Sequence, residues 1–271
     1  MKVASDYKGV LEFIRCKIII FILFLTISHL QANTCETDPY RLAFKHLESK
    51  GIGFNQGYST LEIFFASTEA WGPRWLPFLD VQGHLFNNGR SAINSGIGVR
   101  YIASRIWGVN GYYDYRRTNR GHYNQVALGL ESLGKRWDVR LNLYHPFGKK
   151  VHYFDSKKEF ALRSYNGEIG FHVDSFEEAP LYFAAGPYYL NGFGKVAWGG
   201  QMRGNVEMYQ HVRLQVSSSY DHLYQWALQG QLTIFFQFGG KKESNGKCHP
   251  QRSFQQVGRG EIIPTLSKRA H

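Results

Sequence analysis

Cysteine, methionine and proline are scarce in this chain, at three, three and eight of 271 residues. The cysteines, Cys16, Cys35 and Cys248, are far apart and no zinc-ligand spacing occurs, so no metal site is expected. Long apolar runs are also missing. The longest, IIIFILFLTI at 18–27, is shorter than the roughly 18–20 residues a spanning helix needs. A mean hydropathy of −0.35 then excludes a multi-helix membrane protein. There is no Lys/Arg cluster on a helix and no aromatic RNA-binding motif. The formal net charge of +11 therefore does not mark a nucleic-acid partner, and an anionic membrane surface is the other partner such a balance suits.

Aromatics and glycine are abundant. Aromatics reach 16%, with 17 Tyr and 20 Phe, and there are 29 Gly, a mixture that favours strands and tight turns. The length allows one or two domains with a large core. At the N-terminus, Arg15 and Lys17 precede the short apolar run, and SHLQA follows it. Residues 1–32 read as a secretory signal peptide, cleaved after Ala32. Cys35 and Cys248 survive that cleavage. In an oxidising compartment they can pair with each other or with an envelope partner, and the spacing leaves both open.

From residue 58 the sequence falls into segments of period two separated by Gly, Asn, Asp, Lys and Pro. The alternation predicts strands over 58–66, 77–86, 93–102, 105–115, 123–133, 136–145, 163–174, 181–189, 196–208, 212–221 and 226–238. Over 93–102, 136–145, 165–173, 196–208 and 226–238 one face is apolar and carries no charged residue. In 93–102, Ile93, Ile97, Val99 and Tyr101 oppose Asn94 and Arg100; in 136–145, Trp137, Val139, Leu141 and Leu143 oppose Asp138, Arg140, Asn142 and Tyr144. Strands of about ten residues, short sequential links and aromatics near the ends of the apolar faces suit a transmembrane barrel. A soluble lipocalin-like barrel would use the same alternation with its faces reversed. The fold class expected is all-β: an up-and-down antiparallel outer-membrane β-barrel of about 12 strands. Tight links at 103–104 and 134–136 read as periplasmic turns. Strand parity then requires a further strand before 58, within 41–56.

Four motifs occur in order: GIGVRY (96–101), WGVNGYYDY (107–115), GHYNQVALGLE (121–131) and LNLYHP (141–146). Together they resemble the β-domain of inverse autotransporters, the intimin and invasin family. The matching residues are Gly96, Gly98, Arg100, Gly108, Asn110, Tyr113, Asp114, Asn124, Gly129, Glu131, Asn142 and Tyr144. Tyr112 stands where the family has Phe, and Gln125 where it has Arg, which removes one lumen charge. Most matched residues fall on the polar face. Arg100, Asn110, Asp114, Glu131, Arg140, Asn142 and Tyr144 are therefore expected to form a structural network in the lumen, since charge in a barrel wall must be paired or hydrogen-bonded. Asp114 reads as a lumen residue rather than a catalytic one.

The resemblance implies a translocator, a roughly twelve-stranded barrel that passes its C-terminal region to the cell surface. Residues 33–57 then form an N-terminal periplasmic segment that includes the first strand, 58–238 the barrel, and 239–271 a short basic tail. That tail is too short and polar for an adhesin domain, so a barrel without an encoded passenger is expected. A small outer-membrane pore, with Arg100, Arg140, Arg203 and Arg213 favouring anions, or an envelope scaffold is the alternative. Partners implied are outer-membrane lipid, the outer-membrane insertion machinery and periplasmic chaperones; no cofactor is implied. His122, His145 and His152 fall in or near outer loops without a spaced nucleophile, so no enzyme is expected. On this reading the chain refolded in detergent migrates faster unheated than boiled on a gel; a chain that stays soluble without detergent would sink the barrel.

Overall fold

A computed structural model of the protein describes residues 40–67, 71–72, 74–154, 157–173, 180–208, 211–238 and 254–269. The signal peptide expected at 1–32 and all three cysteines lie outside the described residues, and so does the cysteine pairing.

Twelve long strands close into a barrel. They are β1 (Tyr40–Glu48), β2 (Tyr58–Ala66), β3 (Trp75–Phe86), β4 (Ser91–Ile102), β5 (Ile106–Arg117), β6 (His122–Leu133), β7 (Trp137–Phe147), β10 (Arg163–Val173), β11 (Leu181–Gly192), β12 (Lys195–Met208), β13 (Val212–Tyr220) and β14 (Ala227–Phe238). Each pairs antiparallel with its sequence neighbour, β7 with β10 across a short excursion. The ring is sealed by β1 against β14, from Tyr40↔Phe238 to Glu48↔Gly230. The excursion is a hairpin, β8 (Val151–Phe154) and β9 (Lys157–Ala161), to which β15 (Thr265–Arg269) adds as a third strand.

The strand required before residue 58 is β1. Its side chains alternate weakly: Arg41, Ala43, Lys45 and Leu47 point inward, while Phe44 and His46 point out. Because β1 runs the length of the barrel, the 49–57 loop sits at the mouth opposite Tyr40.

Exposure fixes which face is which. The apolar faces point outward, with Ile97 68%, Leu128 61% and Leu228 64% exposed, whereas Glu62, Asp80 and Arg100 are at 0%. A soluble barrel needs the reverse. A sheet with an apolar outside and no open edge is the solution that lipid imposes on β-structure. Two aromatic belts ring the outer surface. At the Tyr40 end, ring centroids lie 4.8 Å apart for Tyr40–Phe65, 4.8 Å for Trp75–Tyr101 and 4.6 Å for Trp137–Phe171. At the other end, Tyr113 meets Phe147 at 6.1 Å, Tyr189 meets Trp198 at 4.8 Å and Tyr220 meets Trp226 at 5.3 Å. Trp107 and Tyr115 lie on one outward face of β5, and the strand between them is about 26 Å long at ~3.3 Å per residue. That length, on tilted strands, fits an apolar band about 25 Å tall.

One hairpin shows why short links suffice. Between β11 and β12 only Phe193 and Gly194 intervene, with φ of 50° and 72°. Two successive positive φ values make the turn whose twist matches paired strands.

The lipid face gives a direct prediction. Leu128→Arg, on the middle of β6, should cost about 2–4 kcal/mol of folding free energy in lipid, read from denaturant-dependent refolding into vesicles; an unchanged transition would place Leu128 away from lipid.

Candidate functional site

The lumen is occupied by the chain's own C-terminal segment, residues 254–269, which runs from one mouth to the other. At the Tyr40 end, Phe254 and Val257 pack on Phe64, Leu76, Phe78 and Tyr112. Ile262 packs on Leu47, Tyr58 and Phe86 nearer the opposite mouth, and Ile263 on Tyr123 and Ala161. The segment leaves the lumen as β15, paired with β9 from Thr265↔Ala161 to Arg269↔Lys157.

Polar contacts hold it along the way. Arg41 Nη1 donates to the Phe254 carbonyl at 2.9 Å and Arg100 Nη1 to the Gln255 carbonyl at 2.8 Å. Asn142 Nδ2 reaches the Gly258 carbonyl at 3.1 Å, and the Gly260 N–H donates to Tyr144 Oη at 2.7 Å. Asn94 Nδ2 donates to the Glu261 carbonyl at 2.7 Å. Barrel side chains thus satisfy backbone groups that an extended segment cannot satisfy itself.

Two buried ion pairs link wall and segment. Arg259 Nη2 lies 2.5 Å from Asp114 Oδ2, both side chains 1% exposed, with its guanidinium stacked 3.9 Å over the Tyr112 ring. Glu261 lies 2.7 Å from Lys45 Nζ, which also holds Glu62 at 2.5 Å; Glu62 in turn holds Arg41 at 2.5 Å. The chain Arg41–Glu62–Lys45–Glu261 alternates in sign, as ions taken out of water require.

The seven residues expected from the sequence all line the lumen, but not as one network. Arg100 Nε pairs with Glu131 at 2.7 Å. Gly108 lies opposite both in register, and a Cβ there would sit 2.5 Å from Glu131 Oε1, so the glycine makes room for this pair. Asp114 stands six residues further along β5 than Gly108, about 20 Å at ~3.3 Å per residue, too far for Arg100. Its partners are Gln125 Nε2 at 3.1 Å and Arg259. Arg140 turns to Glu168 at 3.1 Å and Asp138 at 3.3 Å. Asn142 also donates to Asn166 at 2.9 Å. Asn110 and Asn142 converge over Gly129, where a Cβ would lie 2.4 Å and 2.8 Å from their Oδ1 atoms.

The segment grips one side of the barrel. Facing β10 to β14 it leaves a cavity of about 500 Å³ lined by Asn166, Glu168, Arg203, Gln215, Ser217 and Gln231 among others. There Arg203 clamps Glu168 at 2.8 Å and 2.6 Å, and Arg213 Nε holds Glu207 at 2.9 Å.

The inverse autotransporter β-domain family matches residues 63–173. The barrel resembles the translocator domain of inverse autotransporters. No curated protein matches the chain. Solved structures agree on the fold. One, described as "Unveiling the Mechanism Behind the in-meso Crystallization of Membrane Proteins", is 15% identical with a TM-score of 0.65, covering 84% of this chain and 100% of that one. Another, an outer membrane channel from Pseudomonas putida F1, is 12% identical with a TM-score of 0.54, covering 77% of this chain and 100% of that one. The protein is an outer-membrane β-barrel.

In this barrel the matched stretch, 63–173, supplies Arg100, Asp114, Asn142 and Tyr144, four of the groups that hold the threaded segment. The segment's side of these contacts has no pattern in the sequence. Arg259 and Glu261 sit in a stretch without periodicity, and Lys45 and Glu62 fall outside the four motifs. The one signal that could have found Arg259 is Gln125: with an amide there the wall sets no cation beside Asp114, and Arg259 supplies one.

Asp114→Asn should therefore leave the Arg259 guanidinium buried without its counter-charge, a cost of about 3–5 kcal/mol, and release the segment. Gln125→Arg, which gives Asp114 a partner from the wall, should displace Arg259 in the same way. Limited trypsin digestion of the folded barrel checks both: cleavage after Arg259 should be slow in the parent and fast in either variant, and equal rates would remove the ion pair from this role.

Proposed function

We propose that this barrel is a type V translocator whose C-terminal segment has passed through the lumen from the periplasm to the cell surface. The observation that carries the reading is the path of residues 254–269, anchored to the wall at every level and emerging as a strand on the β8–β9 hairpin. Tyr40 and Phe238 lie at the same end of the barrel. With residues 1–32 a cleaved signal peptide and the tight links at 103–105 and 134–136 periplasmic, that end faces the periplasm and β15 faces outside. Residues 40–238 are then the barrel and 239–271 the exported tail. Insertion by the outer-membrane assembly machinery, with periplasmic chaperones delivering the chain, follows from this reading.

The residues Arg100, Asp114, Asn142 and Tyr144 act here as a track for backbone and charge rather than as catalysts. Of the loop histidines, His152 is engaged structurally: its Nε2 is 3.1 Å from the His122 carbonyl and its ring packs edge-on against Tyr123. A pore reading draws on one observation, the 500 Å³ cavity beside the segment, which is lined by amides, hydroxyls and ion pairs.

An epitope tag after His271 separates the two. Labelling of intact cells is the expected result and marks an exported tail. Labelling only after permeabilisation would reject export and leave the pore.

A further inference from the structure

The mouth at which β15 joins the hairpin holds a second cavity, of about 390 Å³, beside the exit strand. The loops after β1, β3, β5 and β13, strand β9 and the exit strand wall it. Four cationic side chains line it, Lys50, Arg90, Arg116 and Arg120, against one carboxylate, Glu159. Rim cations are usually solvated and need no partner. Arg116 does not fit that description. It is 4% exposed, its Nη1 donates to the carbonyls of Gly53, at 2.9 Å, and Ile263, and its buried Nε has no hydrogen-bond partner. Glu159 is taken by Arg120 at 3.6 Å. Among the described residues neither Arg116, Arg90 nor Lys50 has a carboxylate partner.

A buried guanidinium with no carboxylate at ion-pair distance and a donor unspent carries a desolvation cost that a bound anion would offset. Arginine forks match the oxygens of phosphate in pairs. Arg90 is held for such a role by Asn119 Oδ1 at 2.6 Å, and Arg120 by Ser267 Oγ at 2.8 Å. The cavity exceeds the size of one phosphate and lies in the range of small-ligand sites, roughly 300–1,000 Å³. A ligand carrying two phosphates suits both its volume and its excess of positive charge.

We infer that this mouth cavity is a binding site for a phosphate-bearing anion, held by Arg90, Arg116 and Arg120. Because Arg116 also holds the Ile263 carbonyl and Arg120 holds Ser267, the bound anion ties the loops to the emerging segment. The anion is either soluble or the headgroup of a phosphorylated glycolipid of the outer leaflet; the second source rests on the orientation proposed above.

The test titrates inorganic pyrophosphate calorimetrically into the full chain in phosphatidylcholine nanodiscs, with and without bisphosphorylated lipid A. Saturable binding, weakened at least tenfold in an Arg90→Gln/Arg120→Gln double variant, is expected. Arg116 is left in place because it also pins two backbone carbonyls. Pyrophosphate binding that lipid A abolishes assigns the site to the headgroup, and binding that lipid A leaves unchanged assigns it to a soluble anion. No saturable binding in phosphatidylcholine discs, or equal binding in the double variant with heat-modifiable migration intact, overturns the site. Neither result touches export of the tail, which the surface tag reads separately.

Discussion

Charge inside a closed wall must be neutralised by charge inside the same wall, and the lumen of this barrel is organised around that constraint. Lipid takes the apolar faces, so most charged side chains in the middle of the strands are driven inward, where water is limited and neighbours are few. Arg100 with Glu131, and Arg41 and Lys45 with Glu62, answer one another across strands. Asp114 is answered from the wall only by the neutral amide of Gln125, and its counter-charge arrives on Arg259. The threaded segment therefore completes the electrostatics of the wall as well as filling space.

The two halves of the ring solve the interior differently. From β1 to β7 the wall is dressed to hold a peptide: side chains bond its carbonyls and N–H groups, and glycines such as Gly108 and Gly129 clear room for the groups that do so. From β11 to β14 the wall turns Gln201, Asn205, Gln215, Ser217 and Gln231 to the cavity, and Arg203 with Glu168 and Arg213 with Glu207 close their ion pairs within the wall. Peptide-binding chemistry and spacer chemistry thus share one sheet without a domain boundary between them.

Much of this was legible in the sequence, because a membrane barrel writes its geometry into the chain as alternation. The strands from β2 onward and the identity of the lipid face follow from period two, and the lumen side of β4 to β7 from the motifs. β1 came through parity alone, since an inward Ala43 and Leu47 and an outward His46 blur its alternation. The β8–β9 hairpin was missed because four- and five-residue strands are too short to show a period. The segment 254–269 was opaque for a deeper reason. Its composition is that of an unfolded chain, and its order comes from the wall around it, so no local pattern encodes it. The grouping of Arg100, Asp114, Glu131 and Arg140 erred for want of register, which sets Asp114 well along the strand from the other three.

The order of elements along the chain has a consequence for assembly. β14 closes the ring against β1, and the segment that fills the lumen comes after it. The barrel therefore meets its filling as a tethered ligand, joined to the rim by residues 239–253, and a short tether holds such a ligand at millimolar effective concentration. At that concentration even individually weak contacts saturate. Occupancy of the lumen becomes a property of covalent connectivity, insensitive to how dilute the protein is, and cutting the chain between Phe238 and Phe254 would turn a unimolecular equilibrium into a bimolecular one.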